Sequence, residues 1–198
     1  MKRVLSLLVV LGVLSVPAFG ALITAPGDAI IAVDPDPAVS NSNYPGAEAP
    51  PMALDSDSNT KYLNFAGAHT GFIVTPSGAA SVRSFTITTA NDAEGRDPAS
   101  WVLYGTNDAI TSLDNSTGLA ENWTMIDSGA VSLPADRYTT GPVVSVSNSA
   151  AYSSYRMLYP TLKGDPLMQI ADVALYESTD GTWENWTCPV VRLLRSPS

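Results

Sequence analysis

Val82-Arg83-Ser84-Phe85-Thr86-Ile87-Thr88 alternates with a period of two: Val82, Ser84, Thr86 and Thr88 fall on one face, Phe85 and Ile87 on the other. Successive side chains of a strand point to opposite sides, so this spacing predicts a half-buried β-strand. Outward from it the same kind of segment recurs. Ile30-Ile31-Ala32-Val33 and residues 62–65 and 72–75 precede it, and residues 101–104, 123–126, 143–146, 155–159 and 170–176 follow. Gly, Pro, Asn, Asp and Ser punctuate the gaps, and no window of a dozen residues keeps a helical apolar stripe. About eight or nine short strands with turn signals between them predict an all-β fold, an antiparallel β-sandwich closed by Greek-key connections.

The connecting segments differ in kind. Residues 34–51 are rich in proline and turn formers, which neither donate to a ladder nor hold a helix. Residues 106–122 carry Asp108, Asp114, Asn115 and Gly118 with little apolar content, and predict a mobile surface loop. At the N-terminus, Lys2 and Arg3 precede an uncharged apolar run from Val4 to Val16, then Pro17 and Ala18-Phe19-Gly20. That layout predicts a secretory signal peptide over 1–20, cut before Ala21, since the run is shorter than the roughly 18–20 residues of a spanning helix. Residues 21–177 then form one domain, and 178–198, with Trp183, Trp186 and the single cysteine Cys188, remain an unassigned tail.

The net charge of −9 becomes more negative once Lys2 and Arg3 are removed. Such a surface repels phosphate backbones and anionic lipid, so nucleic acid and membrane insertion after cleavage are not expected. The expected location is secreted or extracellular, or periplasmic if the protein is retained in a Gram-negative cell. Three Asn-X-Ser/Thr sequons begin at Asn115, Asn122 and Asn185 and matter only in a eukaryotic host.

The loop Asp55-Ser56-Asp57-Ser58-Asn59-Thr60 is rich in oxygen. A hard cation such as calcium takes about six to eight oxygen ligands, and two carboxylates two residues apart in a turning loop can converge on one point. The same composition also suits an ordinary turn. The distant pair Ala171-Asp172 is placed to close the site across the fold. Here the chain resembles the galactose-binding-like β-sandwich superfamily, which includes discoidin domains and related carbohydrate-binding modules. The resemblance rests on Asp55, Asp57 and Thr60, on the strand and turn 101–108 that ends Tyr104-Gly105-Thr106-Asn107-Asp108, and on Tyr155-Arg156-Met157 and residues 169–176. It implies a jelly-roll sandwich with a structural calcium held by Met52, Asp55, Asp57, Thr60, Ala171 and Asp172. Asp172 stands where the family usually has glutamate, one methylene longer.

In such a sandwich a ligand is expected on loops at one end, where a rigid sheet fixes a cleft. Sugar binding needs an aromatic face and planar polar groups. His69, and Asn91, Asp92 and Arg96 in the loop 91–96, are the candidate ligand-binding residues, with Arg137-Tyr138 in a third loop. Arg96 is expected to pair with Asp97 or Asp92, Arg156 with a buried or edge carboxylate, and Trp101 to lie in the core. No catalytic residues are assigned: a single histidine lies in no recognisable nucleophile–base motif, and zinc would want clustered His and Cys. The expected function is non-catalytic binding of a glycan or other cell-surface polymer. The alternatives are a structural or adhesive module that binds protein and, third, a small secreted hydrolase.

Overall fold

The computed structural model describes residues 21–36 and 41–181. The signal peptide expected over 1–20, and Trp183, Asn185, Trp186 and Cys188 of the tail, lie outside the described residues.

Ten strands form: β1 (Ala29–Val33), β2 (Tyr62–Asn64), β3 (Gly71–Thr75), β4 (Ser84–Thr88), β5 (Ser100–Thr106), β6 (Thr124–Ala130), β7 (Val144–Ser145), β8 (Ser154–Leu158), β9 (Met168–Ile170) and β10 (Asp172–Tyr176). One sheet has the order β1-β3-β8-β5-β6; the other layer consists of β10-β4-β7 and the pair β2-β9. Every strand pairing is antiparallel. The count exceeds the expected eight or nine because the run 170–176 is interrupted at Ala171, whose N–H turns to the Thr88 carbonyl.

Period-two alternation places the core. Phe72 and Val74 of β3, Tyr155 and Met157 of β8, and Trp101 and Leu103 of β5 face Phe85 and Ile87 of β4 and Val173 and Leu175 of β10 in one cluster. Trp101 is therefore a core residue, its ring meeting Phe85 edge-on at 4.9 Å across the two layers. The β4 stretch is buried on both faces rather than half-buried. Its polar side is covered by neighbours: the Ser84 hydroxyl donates to the Ser178 carbonyl, and Thr88 pairs with Thr140. Val82 precedes the strand and packs with Phe85 in the core, against the alternation expected of it.

The expectation of a mobile loop over 106–122 is corrected. Asp34 and Asn115 bond through their backbones to Ser116 and Ala32, and Asp114 accepts from the Ala32 N–H and the Tyr44 hydroxyl. Ile110 and Trp123 pack on Val33, Ile73 and Leu158, covering the outer face of the larger sheet. Arg156, on that face, forms no direct ion pair among the described residues, although the charge of Glu121 acts on it. Its guanidinium lies 4.4 Å from the Tyr104 ring centre and 4.8 Å from that of Trp123 and donates to the Gly118 carbonyl, so two π-faces stand where a directly paired acid was expected.

Glu121 anchors the same loop. Burial pushes its carboxyl up, but hydrogen bonds from the Ser112 and Thr111 hydroxyls and N–H groups outweigh this and hold it at about 2. A folded-state value below the free one, 4.5, contributes stability that is present above pH 4.5 and lost as pH falls toward about 2. Glu121→Gln should cost about 1–2 kcal/mol at neutral pH, allowing for solvent screening, and the gap to the parent should close in acid. Urea titrations at pH 7 and pH 3 read both.

Candidate functional site at one end of the sandwich

Strand directions bring four connections to one end. They are residues 65–70 between β2 and β3, 89–99 between β4 and β5, 131–143 between β6 and β7, and 159–167 between β8 and β9. Asp97 holds three of them together. Its carboxylate is fully buried and takes two parallel bonds from Arg137, at 2.9 and 2.7 Å, with Lys163 at 3.3 Å. Arg137 also donates to the Asp92 and Pro134 carbonyls, and Lys163 to Glu94 and the Leu133 carbonyl. Of the two partners expected for Arg96, Asp92 is found beside it, whereas Asp97 is taken by Arg137 and Lys163, which occupy both its oxygens.

Arg96 instead lies 3.9 Å from Asp92 and 3.6 Å from Asp165. Both separations exceed a hydrogen bond, and its buried Nε has no hydrogen-bond partner. Two acids flank the guanidinium without bonding to it, and the unbonded Nε is itself closed to solvent. Asp92 also meets Lys61 at 2.9 Å; burial pushes its carboxyl up, but Lys61, Gln169 and Arg96 together hold it below the usual range. Asn91 is exposed at the head of the same loop.

His69 is exposed, with a backbone φ of 71°, and its N–H donates to the Tyr159 carbonyl. In the same connection a Cβ at Gly67 would stand 1.9 Å from the Pro166 carbonyl oxygen, so only glycine lets 65–70 lie this close to 159–167. Gly95 lies close to the neighbouring Asp165. The His69 and Asn91–Arg96 segments thus flank one stretch, 165–166.

Two residues of this end, Phe65 and Lys61, escape the sequence reading. Phe65 follows the last residue of β2 and is 47% exposed, and Tyr138 of the expected third loop is 49% exposed. Phe65 reads as the end of a strand until Asn64 is seen to close it. Lys61 is buried against Asp92, Glu48 and Gln169, the last 108 residues away, a separation that leaves no local pattern.

The 52–60 loop gathers oxygens around the Thr60 hydroxyl: Asp55 at 2.7 Å, the Asp57 carbonyl at 2.9 Å and the Met52 carbonyl at 3.4 Å. The two carboxylates do not converge as the spacing suggested. The Asp57 side chain turns to the backbone and side-chain N–H groups of Asn59, which hold its carboxyl below the ordinary value. Asp57 therefore offers its carbonyl to the cluster. Asp172, opening β10, is pushed up to about 6 by burial and by the nearby charge of Asp55, against one favourable bond from the Val173 N–H. Two carboxylates near enough for their charges to repel, beside hydroxyl and carbonyl oxygens, form a donor set that fits a hard divalent ion. Among the described residues no three acidic, imidazole or thiol side chains gather, so carbonyl and hydroxyl oxygens would have to complete the shell.

No family profile and no curated protein sequence matches the chain. Solved structures do. The family 32 carbohydrate-binding module of C. perfringens NanJ, in complex with galactose, matches with a TM-score of 0.58 at 14% identity, over 80% of this chain and 99% of that one. A second Clostridium perfringens module, CpGH89CBM32-5 in complex with GalNAc-beta-1,3-galactose, gives 0.56 at 13% identity over 78% and 99%. Chitosan-binding module 1 of a Paenibacillus sp. IK-5 chitosanase/glucanase gives 0.53 at 13% identity over 78% and 98%. The described chain therefore has the galactose-binding-like β-sandwich fold. No helix among the described residues is long and apolar enough to cross a membrane.

Proposed function

We propose that the protein is an exported, non-catalytic glycan-binding module that takes sugar at the loop end, with a calcium ion tying the 52–60 loop to the start of β10. One observation carries the first part: an exposed aromatic ring, Phe65, shares this end with Arg96, a part-buried guanidinium flanked by two acids beyond hydrogen-bond distance. A sugar offers both complements, a C–H face for the ring and hydroxyl pairs for the guanidinium. His69 and Asn91, both exposed, supply further polar contacts. The ligands in complex with modules of similar fold, galactose and GalNAc-beta-1,3-galactose among them, support a glycan in this role.

The calcium would be held by the Met52, Asp57 and Ala171 carbonyls, the Thr60 hydroxyl and the Asp55 and Asp172 carboxylates. Its contribution is structural: positive charge between two acids that otherwise repel.

Calorimetric titration with galactose and N-acetylgalactosamine tests the reading. Phe65→Ala should weaken the favoured sugar about tenfold, the order expected from losing one stacked aromatic face. Unchanged affinity would remove Phe65 from the site. A second reading, protein contact, rests on Leu113, Leu119 and Met125, which are 75%, 50% and 55% exposed. Self-association in sedimentation that Leu119→Lys abolishes would favour it.

A further inference from the structure

Resting on the glycan-binding reading, we propose that the loop end selects uncharged sugars and rejects sugar acids, and that Asp165 is the specificity-determining residue. Each cation at this end is already matched by an acid of the protein. Lys61 meets Asp92 and Glu48, Arg137 and Lys163 meet Asp97, and Arg96 lies between Asp92 and Asp165. A uronate or sulfate arriving here finds no unbalanced positive charge and faces carboxylates that are part-exposed, 50% for Asp92 and 30% for Asp165. Bringing like charges together at a partly desolvated surface is a means of exclusion, and specificity built this way comes from the repulsive partner.

The two acids balance Arg96 without saturating it. At 3.6 and 3.9 Å they cancel its charge, but neither forms a hydrogen bond to it. Neutral hydroxyl oxygens can accept from the terminal guanidinium nitrogens, the Nε being buried, whereas a carboxylate would have to displace one of the flanking acids or sit beside it. The same guanidinium therefore recognises hydroxyls and is screened from acids. Freed of Asp165, it would keep only Asp92 beside it and be less screened from a carboxylate.

Asp165→Asn is the informative variant, because its amide oxygen can still accept the Leu167 N–H that Asp165 Oδ1 takes at 3.0 Å. Binding of galactose and of galacturonate, an isosteric acid, is measured by calorimetry on the parent and the variant at fixed ionic strength. Unchanged thermal unfolding establishes that the variant folds, and Asp165→Ser with the same readout replaces it if it does not. The parent should favour galactose over galacturonate by about tenfold or more, and the variant should narrow that ratio severalfold, mostly by gaining affinity for the acid. A parent that binds both equally, or a variant whose ratio stays fixed, overturns the inference while leaving glycan binding intact. Binding of neither sugar, nor of any glycan in a wider array, overturns the functional reading and this inference with it.

Discussion

Replacing Asp97 with alanine should cost about 3–5 kcal/mol, the range for removing one partner of a buried ion pair. The side chain is fully buried, and two cations depend on it. Arg137 would keep only main-chain carbonyls, and Lys163 would keep Glu94 and the Leu133 carbonyl. A positively charged pair would then be left in a site built around a carboxylate. The loss should also reach the proposed sugar site, because Asp97 joins the connections 89–99, 131–143 and 159–167. Chemical denaturation gives the stability change. Removing both partners, as Asp97→Ala with Arg137→Ala, should cost less than the sum of the two single changes. Additive losses would mean that the pair does not act as a unit.

Calcium should raise the unfolding midpoint by several degrees relative to chelator, and Asp55→Ala or Asp172→Ala should abolish the rise. A ligand bound only by the folded state, present at about 100 times its dissociation constant, adds about 2.7 kcal/mol. For a chain of this size that corresponds to roughly 5–10 °C. The pH dependence adds a second signature. Asp172 is held at about 6 in the folded chain against an ordinary 3.8, so without metal the native state binds its proton more tightly than the unfolded state. Metal-free stability should therefore fall as pH rises from about 4 to about 6. With calcium the trend in this window should weaken or reverse, since the ion needs both carboxylates ionised. Identical melting curves with calcium and with chelator across this pH range would remove the ion from the account.

How much of this was legible in the sequence depends on how local the cause is. The period-two alternation at 84–88 and the dense apolar stretch around Trp101–Leu103 depend on near neighbours, and both lead directly to the sandwich and its core. The 55–60 loop is also local, and its composition marked an oxygen-rich turn. Which oxygens converge was not legible, because the Asp57 carboxylate is captured by Asn59 two residues on. The loop end was read only in outline. His69, Asn91, Asp92 and Arg96 were named, but Asp97 appeared as a partner for its neighbour. Its true partners lie 40 and 66 positions away along the chain, at Arg137 and Lys163. Arg156 shows the opposite failure. A buried cation suggests an acid, yet the fold supplies two aromatic rings. The 106–122 loop, poor in apolar residues, is fixed by backbone and carboxylate bonds that composition does not display.

The most direct test of the central claim is to follow backbone amide signals by nuclear magnetic resonance while galactose, then N-acetylgalactosamine, is added. The account predicts saturable shifts concentrated at Phe65, His69, Asn91 and Arg96, with the outer face around Trp123 and Arg156 unmoved. Saturable shifts confined to that outer face, or none with any sugar tested, would contradict a glycan site at this end of the sandwich.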